Sequence, residues 1–140
     1  MNESWLEIRE YTEAGYRPQV DYGTWRVAVL NYIDELEPAH ITRFERHMQT
    51  DEVFVLTRGQ GVLMLAGNDA QAGVIVPQVM QPGKIYNVKR GAWHGVLLTL
   101  DASVLLVENR DTGINNSEYC NLTPEQRSQI VQLAQDQGIG

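Results

Sequence analysis

The chain has 140 residues, 43% of them hydrophobic, a single cysteine and a formal net charge of -7. This length suits one domain, spanning 1–140, with a core of its own, while the acidity repels a phosphate backbone and an anionic bilayer, so neither nucleic acid nor membrane is an expected partner. No apolar run approaches a membrane span, the amino-terminal stretch lacks the apolar region of a signal peptide, and the lone Cys120 excludes an internal disulfide or a thiolate-rich metal site; a soluble, cytoplasmic protein is expected.

At the amino end, "SWLEIREYTEAG" reads as a short strand or a turn of helix. From Gly23 to about Asp111 the chain becomes a succession of short β-rich segments punctuated by glycine, the pattern of an antiparallel barrel or sandwich. "TWRVAVLNY" sets Trp25, Val27 and Val29 on one face, and "ITRFERHM" follows a polar loop that holds Pro38 and His40, the latter a surface residue on this reading. "EVFVLTRGQGVLMLAG" reads as two strands in a hairpin around "RGQG". "AGVIVPQVMQPGKIYNV" adds one or two strands broken at Pro77 and "QPG", and "GAWHGVLLTL" with "ASVLLVENRD" supplies a final pair. The last segment, "TPEQRSQIVQLAQDQG", has a cap at Thr123, proline at the first helical position and glutamine at the third, which predicts a short amphipathic helix over about 123–137.

The stretch from Thr42 to Gly59 carries charge where an apolar strand face is expected. Side chains alternate across a strand, so Ile41, Arg43, Glu45 and His47 share one face, and in the next strand Glu52 shares a face with Phe54 and Leu56. If Phe54 and Leu56 point into a barrel, Glu52 goes with them, and a buried carboxylate must be paired, protonated or bound to a metal. The same alternation places His94 in step with Val96 and Leu98. His47, Glu52 and His94 then converge, and two imidazoles with a carboxylate make an open site for a divalent ion.

The spacing of these residues resembles the cupin superfamily. His47, Glu52 and Gly59 match the second half of the first cupin motif, and Gly83, Gly91 and His94 match the second motif in "GKIYNVKRGAWHG". The resemblance covers residues 20 to 111 and implies an all-β, double-stranded β-helix or jelly-roll barrel. It also implies a divalent metal (Zn, Fe, Mn or Ni) on His47, Glu52, His94 and Glu45, with Glu45 standing where the family's first metal histidine would be, and Lys89 where its turn proline would be. "FERH", "YNVKRGAWHGVLLTL" and "VLLVENRD" are further similar to segments of the ureidoglycolate lyase branch, which implies cleavage of ureidoglycolate into glyoxylate and urea.

That reaction needs a base to take a hydroxyl proton while urea leaves, and a metal to hold substrate oxygens. On this reading Glu52 and Glu45 are the catalytic carboxylates, and an inward Arg43 receives the carboxylate of a small anionic substrate or forms an ion pair with Glu45 or Glu108. Trp93 packs at the cavity mouth, where contact with substrate is open to it. Glu108 and Arg110 share one face of the last strand and form either a second polar layer in the cavity or a solvated edge, the edge being the expectation. Tyr22, Trp25 and Tyr86 read as core or homodimer-interface aromatics. Other expectations for such a barrel are an isomerase, an epimerase, a dioxygenase or a non-catalytic ligand-binding protein.

Overall fold

The computed structural model describes residues 2–140, which form ten strands and one helix. The strands are β1 (Gly15–Tyr22), β2 (Trp25–Asn31), β3 (Arg43–His47), β4 (Glu52–Arg58), β5 (Gly61–Leu65), β6 (Val76–Val79), β7 (Tyr86–Val88), β8 (His94–Leu98), β9 (Ser103–Asn109) and β10 (Ser117–Asn121); the helix is α1 (Pro124–Asp136). They make two antiparallel five-stranded sheets, in the order β1-β2-β9-β4-β7 and β10-β3-β8-β5-β6. The strands thus begin earlier and end later than the expected 20–111. Among the described residues no helix is long and apolar enough to cross a membrane.

The two sheets face each other across a core of Ala28, Phe54, Leu56, Leu63, Val96, Leu98 and Leu106. The second sheet is covered on its other side as well. Phe44, Met64, Trp93 and Leu97 pack there with Ile130 and Ala134 of α1. Double coverage explains why the strand holding Glu45 and His47 has no cleanly polar face: Phe44 feeds the helix-side core while its neighbours face the space between the sheets. The helix forms as expected, with Thr123 Oγ1 accepting from the Gln126 amide and Gln126 Oε1 accepting from the Thr123 amide.

Three expectations are corrected. "RGQG" is not a hairpin, because β4 lies in the first sheet and β5 in the second; the turn carries the chain across the barrel, as does the connection from β8 to β9. Tyr22 and Trp25 are not core, being 75% and 43% exposed: Trp25, Val27 and Val29 do share one face of β2, and it is the outer one, while Arg26, Ala28 and Leu30 look inward. Pro77 lies within β6 rather than breaking a strand, which an edge position permits.

The β4-to-β5 crossing depends on Gly59. Its φ is +72°, and a Cβ there would lie 2.6 Å from Ala102 Cα, a backbone atom that cannot swing aside. Gly59→Ala should therefore lose stability on the order of 1–3 kcal/mol from the backbone conformation, with the clash added. Urea denaturation checks this, and an unchanged midpoint would contradict it.

Candidate functional site

Between the sheets lies a cavity of about 700 Å³, and its floor is built by alternation on three strands. β3 contributes Glu45 and His47, β4 contributes Glu52, and β8 contributes His94. Glu45 and His94 are direct cross-strand partners. Glu52 Oε1 lies 3.2 Å from His47 Nε2 and 3.1 Å from His94 Nε2, while Glu45 Oε1 lies 3.8 and 4.0 Å from the same two nitrogens. His47, Glu52 and His94 are buried; Glu45 is partly open to solvent.

The protons of this cluster are constrained. His94 Nδ1 sits 2.9 Å from the Ala92 carbonyl oxygen, which can only accept, so Nδ1 carries a hydrogen. A neutral His94 would then present a bare lone pair at Nε2 to a carboxylate oxygen. Something positive must stand between them, either a proton or a metal ion. Burial opposes charge on each imidazole, yet the Glu52 carboxylate overrides it and raises the pKa of both His47 and His94. For Glu52 burial acts upward, and the two histidines reverse it and hold the carboxyl well below its usual range.

The fit to a divalent ion follows from the same geometry. Two protons on the imidazoles and one divalent ion between neutral imidazoles bring the same charge to Glu52. All four donor atoms lie within 4.8 Å of one another, and the named nitrogen-to-oxygen separations fall under the ~4.2 Å that two donors about 2.1 Å from a common ion can reach. His47 is oriented by its other nitrogen, 2.8 Å from Ser117 Oγ, as ligating histidines commonly are.

A second polar group lies on the first sheet, beside the strand of Glu52, where the sequence left Glu108 open between a cavity layer and a solvated edge. Arg26 and Glu108 are cross-strand partners on β2 and β9, both directed inward. Glu108 Oε1 accepts from Arg26 Nη2 at 2.8 Å and from the Tyr16 hydroxyl at 2.7 Å. Oε2 has no hydrogen-bond partner among the described residues and lies 3.9 Å from His47 Nε2. Burial first, and the neighbouring Glu52 charge second, push the Glu108 carboxyl up to about 7. Glu108 is thus buried, 5% exposed, and not on a solvated edge; Arg110 alone is exposed. The signal was available, since Arg26 shares its parity with Ala28 and Leu30, but that face of β2 was not followed inward from the sequence.

The remaining sequence candidates divide. Arg43 lies at the mouth, exposed, with its guanidinium carbon 4.2 Å from the Tyr119 ring centroid, and both residues line the cavity. Its ion pair with Glu108 does not form, because Arg26 holds that position. His40 is exposed and also lines the mouth. Trp93 is corrected: it is 1% exposed, its indole N–H donates to the Asp69 carbonyl at 2.9 Å, and it belongs to the helix-side core. Being adjacent to inward His94 on the chain, it points the other way.

No family model matches the chain, and no curated protein matches it in sequence. Solved structures do match. A cupin-2 domain protein from Shewanella frigidimarina superposes with a TM-score of 0.50 at 17% identity, over 71% of this chain and 85% of that one. A Streptomyces nucleoside dehydratase gives 0.53 at 12% identity, over 83% of this chain and 87% of that one. This chain has the cupin fold. The capsular polysaccharide assembling protein CapF of Staphylococcus aureus gives 0.56 at 14% identity; there the cupin-like match covers 87% of this chain but 34% of CapF. Nothing in these matches carries the narrower resemblance to ureidoglycolate lyases.

The cupin site sets a sign for stability against pH. His47, His94 and Glu108 have folded pKa values above their unfolded ones, so their contribution is present at low pH and is lost as pH rises through the folded values. Glu52, held low, contributes above its unfolded value of 4.5 and loses that contribution only in strong acid. Chelator-treated protein should therefore melt at lower temperature at about pH 8.5 than at about pH 6. Thermal scans across that range check it; a flat or rising melting temperature would contradict the proton assignment.

Proposed function

We propose that this cupin is a metal-assisted enzyme that cleaves a small, oxygen-rich hydroxy acid by acid/base chemistry, with ureidoglycolate as the first substrate to test. The observation that carries the reading is the convergence of His47 and His94 Nε2 on one buried Glu52 oxygen, with the His94 tautomer set by Ala92. His47, His94, Glu52 and Glu45 would hold the ion. When bound, a divalent ion supplies Lewis-acid polarisation of substrate oxygens and attraction for an anion in a site otherwise crowded with carboxylates.

The chain's own residues divide the remaining work. Glu52 is enclosed by the imidazoles and suits a ligand better than a base. Glu108 suits proton transfer: Arg26 and Tyr16 fix one oxygen and leave the other without a hydrogen-bond partner, 3.9 Å from His47 Nε2, and a pKa near 7 lets it give or take a proton near neutral pH. In the lyase reaction the hydroxyl proton passes to such a base as the C=O bond forms, the C–N bond breaks, and the departing urea nitrogen takes up a proton. Glu45, partly open beside the cluster, serves either as the fourth ligand or as the second carboxylate that exchanges it. Arg43 at the mouth is placed to meet the substrate carboxylate, with the Tyr119 ring behind its guanidinium. Elimination chemistry is carried on the same fold by the Streptomyces nucleoside dehydratase.

Anaerobic incubation of the metal-loaded chain with ureidoglycolate, followed by glyoxylate and urea, tests the reading. Turnover without oxygen is expected. Glu108→Gln should lower kcat by about 10²- to 10⁴-fold, the usual scale of general acid/base catalysis, while Arg43→Ala should raise KM with kcat largely kept. Oxygen consumption coupled to substrate loss would point to a dioxygenase instead, and a ligand that stabilises the chain yet is recovered unchanged would make it a binding protein.

A further inference from the structure

The cavity between the sheets is layered, and the acid/base chemistry uses only one of its layers. Three inward polar residues each have an apolar residue two positions away on the same strand face: Phe54 after Glu52 on β4, Val96 after His94 on β8, and Leu106 before Glu108 on β9. Register keeps the layers level across the first sheet, because Arg26 pairs with Glu108 while Ala28 and Phe54 both pair with Leu106. Two residues of strand span about 7 Å, so the apolar layer begins one side chain's reach from the donor cluster. The Phe54 ring marks the boundary, its centroid 5.9 Å from that of His94 and the two planes 80° apart.

Phe54, Val96 and Leu106 all line the cavity, and half-buried Leu30 and Leu36 continue the same wall. None of the five has a hydrogen-bonding side chain. The volume of about 700 Å³ falls in the range, roughly 300–1,000 Å³, of pockets that enclose drug-sized ligands. A small acid that is polar throughout, such as ureidoglycolate, would engage the cluster and leave the Phe54, Val96 and Leu106 wall against water, which finds too few partners there to be held well.

We propose that the ligand of this site is amphipathic: a hydroxy acid with its oxygens gathered at one end, where they meet the cluster, and an alkyl or aryl group at the other, packed on Phe54, Val96 and Leu106. This rests on the hydroxy-acid reading and narrows it, ureidoglycolate then probing the head-group chemistry alone. Removal of apolar surface from water, and of poorly held water from the wall, supplies the added affinity. A polar tail of the same length gains nothing from the wall, since it surrenders its own hydration without finding a partner.

Isothermal titration calorimetry of the metal-loaded chain with a series of 2-hydroxy acids tests the proposal. At about fourfold per buried methylene, affinity should climb on the order of 10²-fold from glycolate to 2-hydroxyhexanoate, with an increasingly negative heat-capacity change. Glycerate, which has a hydroxyl where 2-hydroxybutyrate has a methyl, should bind more weakly than 2-hydroxybutyrate. Val96→Thr, which keeps the shape of the wall and adds a hydroxyl to it, should shrink the gain; if that variant does not fold, the parent series decides alone. A series that stays flat while glycolate binds, glycerate that matches 2-hydroxybutyrate, or a folded Val96→Thr chain that keeps the full gain would overturn this inference and leave the hydroxy-acid reading standing. Hexanoate that binds as tightly as 2-hydroxyhexanoate would instead overturn the hydroxy-acid reading and leave the apolar wall as the binding element, and no binding by any acid would overturn both.

Discussion

The arrangement of this protein depends on one buried carboxylate. Glu52 lies between two imidazoles in a low-dielectric interior, where an unpaired charge costs several kcal/mol. Its compensation cannot come from His94 in its neutral form, because His94 turns its only hydrogen toward Ala92. Positive charge must reach Nε2 from outside the neutral protein, as protons or as a cation. The same demand explains why Arg26 and Tyr16 gather around Glu108 a few ångströms away: a second carboxylate so near the first tolerates burial only with donors on one oxygen and a high affinity for a proton on the other.

The fold serves this pair of carboxylates by holding both on one sheet and their histidine partners on the sheet that faces it. β4 and β9 are neighbours in the first sheet and present Glu52 and Glu108 inward, while β3 and β8 of the second sheet bring His47 and His94 across to meet them. The second sheet is fixed from behind by α1, whose Ile130 and Ala134 are fully packed. Among the described residues no helix backs the first sheet, so the brace that α1 supplies acts on the strands of His47 and His94, and a site with convergent polar side chains requires such support.

Much of this was legible in the sequence, and the reasons are specific. Period-two alternation sent Glu52 inward with Phe54 and Leu56, and His94 inward with Val96 and Leu98, so the convergence of this cluster could be read from strand parity and motif spacing alone. The capping box at Thr123 and Gln126 marked the helix for the same kind of local reason. Sheet membership was not local. Nothing in "RGQG" distinguishes a hairpin from a crossing between sheets; the difference lies in the close approach of Ala102 to Gly59. Arg26 and Tyr16 were missed, and Glu108 was assigned to a solvated edge, because a charged residue among larger apolar ones reads as solvent-facing, and only the register of β2 on β9 reveals the pairing. Trp93 was misplaced because its size suggested a cavity wall, whereas its position next to His94 commits it to the opposite face.

The central claim is that His47, Glu52, His94 and Glu45 form one divalent-metal site. Elemental analysis by mass spectrometry of tag-free protein, purified without chelator, with Glu52→Gln prepared in parallel, tests it most directly. About one transition-metal ion per chain in the parent and little in the variant is the result this account predicts. A parent chain that holds no metal even after incubation with zinc, iron, manganese and nickel salts would contradict it, and would leave protons on the two imidazoles as the charge that compensates Glu52.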